Sequence, residues 1–298
     1  MIDLKFIKLE NKSIWEKTLK SEKNISPGHL IDYAMLEHLH TSKETLLLIF
    51  FNNNKKIISP FHLEEYENKK RLFSLRGYSG FNEDLDKETL GKLKIALRKM
   101  KISSIYFTNN PFIESEVKAI KDYSKYKNIT YLMNLKKDIK TIHDESHTLI
   151  KRNLKKSEKI NSVVLINDKF INEGIKNLYN ENLERLGLLE DNLFTSKSID
   201  YLLEKFDKIL IVSSLVEGKP VCVSLFNYDK KNANYLSTFS TKNYNILTAR
   251  NIFEAINIFK KKKIDLLNFG GGVKDNPGIE LFKSRLATYK KKIYEFQF

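Results

Sequence analysis

Three consecutive glycines, Gly270, Gly271 and Gly272, close an apolar stretch, and Lys274 and Asp275 follow at once. Backbone without Cβ atoms can approach a ligand closely or take positive φ. A cation and a carboxylate beside it would supply charge stabilisation and a base. The same run also reads as a plain strand-to-helix turn, and it has the spacing of neither a P-loop nor a dinucleotide fingerprint. A second group is Lys151, Arg152, Lys155, Lys156 and Lys159, which at helical spacing fall within an arc of about 140°. That face suits a tRNA acceptor stem, a nucleotide-sugar diphosphate or an anionic lipid headgroup, and it equally suits a solvated surface. A third group, Arg76 and Tyr78 between the turn glycines Gly77 and Gly80, fits either an acceptor pocket near a domain interface or a tight surface turn. His143 and His147 are four residues apart, but Asp144 stands where a zinc protease needs Glu, so no metal site is expected. The single cysteine, Cys222, lies in a strand-like run and reads as a small buried apolar residue.

Elements must hold these groups in place. With 298 residues, 41% of them hydrophobic, and only 11 glycines and 5 prolines, the chain has material for a folded core throughout and a length that favours two domains. The longest unbroken apolar run, residues 46–51, is far short of the roughly 20 residues that cross a bilayer. Residues 1–10 alternate charged and apolar side chains without a secretory pattern, so a cytoplasmic protein is expected. The formal charge of +15 points to an anionic partner; a codon-driven excess of Lys, Asn and Ile is the other explanation.

Periodicity predicts strands at residues 4–9, 46–51 and 56–60 (the last two a hairpin), 72–75, 104–107 and 129–135, with helices at 13–20, 28–40, 86–100 and 113–123. The second half repeats the order: helices at 170–186 and 198–206, strands at 209–215, 221–228 and 234–239, a helix with Ile252, Ala255, Ile256 and Phe259 on one face, a strand at 265–269, a helix at 279–286 and a strand at 293–298. Two similar α/β (α+β) domains are expected, residues 1–143 and 144–298, each a mixed, mostly antiparallel sheet flanked by helices.

In this order several segments are similar to the Fem-type aminoacyltransferases and related double-domain members of the GNAT acyltransferase superfamily. They are Leu75 to Phe81, the basic stretch Lys151 to Lys159, Leu178-Tyr179 through Arg185-Leu186-Gly187, and Asn268-Phe269-Gly270-Gly271-Gly272 followed by Leu281-Phe282-Lys283. The resemblance spans most of the chain and implies two tandem GNAT-like domains. It further implies transfer of an acyl or aminoacyl group, from acyl-CoA or aminoacyl-tRNA, onto an amine of a cell-wall precursor or of an amino sugar in a surface polysaccharide. No metal takes part, and contact with a membrane surface would be transient.

By the same resemblance Tyr179, Lys283 and Asp275 are candidate catalytic residues. Arg76, Tyr78, Lys151, Arg152, Arg185, Gly270, Gly271, Gly272 and Lys274 are candidate substrate-binding residues. Read from the residues alone, Tyr179 is equally an aromatic packed beside Leu178 and Leu183, and Lys283 a solvated charge. CoA-dependent members carry a glycine-rich turn before the helix that meets the pyrophosphate. Residues 240–245 contain no glycine, which shifts the expectation toward a tRNA-borne donor or a differently bound thioester. Two other readings stay open: a non-catalytic RNA or anionic-surface binding protein on the same fold, and an acyl-CoA enzyme that makes a lipid amino acid.

Overall fold

The apolar run 46–51 lies within β2 (Glu44–Asn52), where Thr45 to Phe50 are buried. A strand apolar on consecutive residues must be covered on both faces, and helices α2 (Ile31–Thr41) and α3 (Lys87–Lys99) both pack on β2. The computed structural model describes residues 3–52, 55–77, 79–113, 123–187, 194–272 and 277–298. The chain forms two compact units, one running up to Thr130 and taking in Lys291–Phe298, the other Tyr131–Lys290.

In the first unit β1 (Asp3–Lys8) leads into α1 (Lys12–Lys20) and α2, then the antiparallel meander β2, β3 (Lys55–Tyr66) and β4 (Lys69–Ser74), then α3 and β5 (Ile102–Thr108). β5 pairs parallel with β4, and β12 (Tyr289–Gln297) pairs antiparallel with β5 through Phe296↔Phe107. Leu90, Leu93 and Leu97 of α3 close a core against Leu48, Phe50, Phe61, Leu72 and Phe107, with Phe107 stacked 4.8 Å from Phe296. α3 begins at Asp86, whose side chain accepts a 2.7 Å hydrogen bond from the Thr89 N–H. Asp86→Ala should lower unfolding free energy by about 1 kcal/mol, to be read from urea melts, and an unchanged midpoint would show that this cap contributes nothing.

The second unit repeats the plan. After α4 (Ile139–Glu145) and α5 (Thr148–Ser157) come β7 (Val163–Ile166), α6 (Asn172–Leu186) and α7 (Ser196–Glu204), the antiparallel meander β8 (Ile209–Val216), β9 (Lys219–Tyr228) and β10 (Asn232–Ser240), then α8 (Leu247–Lys261), β11 (Leu266–Gly271) and α9 (Pro277–Leu286). β11 pairs parallel with β10. The apolar stripe Ile252, Ala255, Ile256 and Phe259 of α8 is buried, as its spacing requires. Between its members the fully buried Asn251 donates to the carbonyls of Val212 and Cys222, both at 3.1 Å, and accepts from the Ser214 hydroxyl at 2.6 Å. Burial pushes the Cys222 thiol up to about 12, which keeps it protonated and inert.

The duplicated order of helix pair, meander, helix and parallel strand is present in both units. The division expected between residues 143 and 144 differs from the observed one in two respects. It falls inside β6 (Ser124–Asn134), and the last eight residues return to the first unit. The reason is the β12–β5 pairing, which joins residues too far apart in sequence for local periodicity to register. α4, opened by Asp138 accepting from the Thr141 N–H at 2.9 Å, was also not foreseen. The helix expected at 113–123 falls largely on residues 114–122, outside the described residues.

Candidate active site

β10 and β11 pair only over Asn232↔Leu266, Ala233↔Leu267 and Asn234↔Asn268. An irregularity between Tyr235 and Ser237 then breaks the register of β10, which continues to Ser240 while β11 continues to Gly271. Two parallel strands that stop pairing leave backbone N–H and C=O groups facing a gap, a place that takes an extended amide-bearing ligand. Asn268 sits at the parting: its amide donates to Asn234 Oδ1 at 3.1 Å, and its carbonyl oxygen accepts from the Gly270 N–H at 2.9 Å. Gly270 has φ +75°, the left-handed region that side chains with a Cβ disfavour.

α9 presents Glu280 and Lys283, one turn apart, to this strand end. Lys283 donates to the Gly271 carbonyl at 2.7 Å, and a Cβ on Gly270 would lie 3.5 Å from its Nζ. Burial pulls the Lys283 ammonium down to about 8, because a charge removed from water favours its neutral form. Glu280 accepts a 2.7 Å hydrogen bond from the hydroxyl of Tyr131, a residue only 2% exposed. A Cβ on Gly272 would meet the Glu280 Cβ at 3.0 Å. The glycines therefore admit two charged side chains of α9 to the backbone of β11. Gly270, Gly271, Gly272 and Lys283 were anticipated from the sequence. Glu280, Tyr131, Asn268 and Asn234 were not, although the i, i+3 spacing of Glu280 and Lys283 was a usable signal. Lys274, Asp275 and Tyr78 lie outside the described residues.

Other anticipated residues have different surroundings. Tyr179, expected as an acid, is 3% exposed; its hydroxyl donates to the Phe194 carbonyl at 2.6 Å and its ring packs edge-on against Phe239. A buried phenol committed to a backbone carbonyl is interior packing, so the catalytic expectation for Tyr179 is corrected. Arg185 donates to Asn182 Oδ1 at 3.0 Å and the Ser240 carbonyl at 3.4 Å, at the end of β10. Lys151 is anchored on the Asp144 carbonyl at 2.6 Å, whereas Arg152, Lys155, Lys156 and Lys159 are exposed along α5. His147 caps α5, its Nδ1 accepting from the Leu149 N–H. Arg76, in the first unit, meets the buried carboxylate of Glu37 through Nε and Nη2 at 2.9 and 2.8 Å, so the binding role expected of it becomes first an internal ion pair. Among the described residues no group of three His, Cys, Asp or Glu is placed to hold a metal, and no helix is long and apolar enough to cross a membrane.

No family model and no curated protein matches the chain in sequence. Solved structures match it in shape. FemX superposes with a TM-score of 0.71 at 12% identity, covering 98% of this chain and 96% of FemX. A domain assigned as the C-terminal part of an Agrobacterium fabrum lysylphosphatidylglycerol synthetase gives 0.62 at 12% identity, covering 96% and 91%. A tandem GNAT protein from the clavulanic acid biosynthesis pathway gives 0.50 at 8% identity, covering 100% and 98%. With the duplicated element order, these similarities establish that the chain has the tandem GNAT-like fold seen in FemX.

Proposed function

We propose that this protein transfers an activated acyl or aminoacyl group from an anionic donor, acyl-CoA or aminoacyl-tRNA, onto an amine. The acceptor is a cell-wall precursor or an amino sugar of a surface polysaccharide, met on the cytoplasmic side. The observation that carries this reading is Lys283: a buried cation, softened to about 8, fixed on the glycine end of β11 beside the gap where β10 and β11 part. Attack of a neutral amine on the donor carbonyl places negative charge on the carbonyl oxygen, and a preorganised ammonium in a site of low dielectric stabilises that charge. The ester or thioester bond then breaks and the ribose hydroxyl or thiol leaves with a proton. Glu280, held by Tyr131, attracts the acceptor's ammonium form, and Asp275 receives its proton. Gly270, Gly271 and Gly272 line the donor arm, Lys151, Arg152, Arg185 and Lys274 meet donor phosphates, and Arg76 and Tyr78 serve the acceptor.

The FemX, synthetase and GNAT similarities support transfer of this general kind. Purified protein incubated with radiolabelled acyl-CoA or aminoacyl-tRNA and a panel of amino sugars and peptidyl amines should yield labelled amide. Steeply salt-dependent RNA binding with no amide from either donor would instead support the non-catalytic reading, which the exposed cations of α5 favour.

A further inference from the structure

One cleft in the second unit has no part in the chemistry described above. It measures about 620 Å³ and lies between the C-terminal end of α5 with the 158–162 connection and the first two turns of α8. Its place follows from the pairing: β7, β8, β9 and β10 alternate in direction, so Val163 at the start of β7 lies at the end of the sheet where β10 finishes. β11 runs parallel to β10, so Gly270 and Gly271 finish there too. The cleft therefore opens at the same end of this unit as Lys283.

Its lining is specific in chemistry. Lys159 stands on one wall and Arg250 on the other, and neither is in an ion pair among the described residues. Arg250 is held by a 2.8 Å hydrogen bond from Nη1 to the Ser162 hydroxyl, which fixes its direction. Ile160 and Phe253 give an apolar surface, and the carboxylate of Glu254 lies on the same side as Arg250. A bare anion would use the two cations and be repelled by the carboxylate. A ligand that joins phosphate oxygens to hydroxyl or amine donors and a flat apolar body uses every wall: that ligand is a nucleotide. Beyond the cleft, Arg152, Lys155 and Lys156 extend the positive charge along α5.

Resting on the acyl-transfer reading, we propose that this cleft seats the terminal adenine nucleotide of the donor. Lys159 and Arg250 bind its phosphates and Glu254 takes its ribose hydroxyls. Both donor classes end in such a nucleotide, CoA as a phosphorylated ADP and tRNA as its 3′ adenosine.

The test titrates the full chain with AMP, with CoA and with a short single-stranded RNA ending in CCA, by calorimetry. Lys159→Ala and Arg250→Ala should each weaken binding about tenfold or more, while Lys197→Ala, exposed on α7, leaves it unchanged. Thermal melts check folding, and Lys159→Ala decides alone if Arg250→Ala is unstable. Loss of affinity in a Lys155→Ala/Lys156→Ala double variant for the RNA only identifies tRNA as the source; equal affinity for CoA in that variant and wild type identifies CoA. Binding of no probe at millimolar concentration, or binding indifferent to both Lys159 and Arg250, overturns the site. Lys283-dependent amide formation with such indifference keeps the transfer reading and removes the cleft; localised binding without any amide product does the reverse.

Discussion

Lys283→Met should lower kcat for amide formation about 10²- to 10³-fold, the usual loss when a preorganised donor to a developing oxyanion is removed. Folding should survive the change, because replacing a half-satisfied buried charge by an apolar side chain of similar length is often neutral for stability. The structure ties the effect to a pH dependence. Burial holds Lys283 at about 8 instead of 10.5, so the ammonium is complete below that value and is lost as pH rises through it. If the charge is what acts, wild-type kcat falls through about pH 8 on the alkaline side. Lys283→Arg, always charged, should be slower because the wider guanidinium does not fit the Gly271 carbonyl, yet should lack that alkaline limb. Activity that instead rises through pH 8 would make Lys283 a base, and wild-type turnover by Lys283→Met would remove it from the site altogether.

Much of the architecture was legible because its signals are local. The apolar run of β2 and the Glu217-Gly218 turn, whose residues both have positive φ, announce themselves within a few residues. So do the Asp86 cap and the stripe of α8. What was not legible depends on distant pairs. Nothing near residue 293 says that the last strand will lie against Phe107, and nothing near Glu280 names Tyr131 as its donor. The candidate site was half visible for the same reason. Three glycines and a lysine could be singled out, but not the closeness of α9 to the strand end, which explains why those positions carry no Cβ. Tyr179 illustrates the opposite error: a tyrosine hydroxyl suggests chemistry until a buried carbonyl, here Phe194, is found to occupy it.

Arg76→Ala should destabilise the first unit by about 3–5 kcal/mol, the range for stranding a buried charge, and by more than Glu37→Gln does. The asymmetry follows from exposure. The Glu37 side chain is 1% exposed whereas that of Arg76 is 39% exposed, so an arginine without its partner turns to water and a carboxylate without its partner cannot. Burial alone would raise the Glu37 carboxyl, but His62 at 3.9 Å and the charge and hydrogen bonds of Arg76 outweigh it and hold the group at about 2, below its ordinary 4.5. A depressed carboxylate contributes stability that is complete above its unfolded value and lost as pH falls. In the wild type this contribution therefore fades between pH 4.5 and about 2. In Arg76→Ala burial dominates, the carboxyl titrates above its unfolded value, and the sign reverses: the deficit relative to wild type shrinks as pH falls from 7 toward 4. Urea melts of both proteins across that range measure the difference directly. A deficit that stays constant with pH would mean that Glu37 does not carry its charge inside the fold, and that Arg76 stabilises the turn at Gly77 by packing alone.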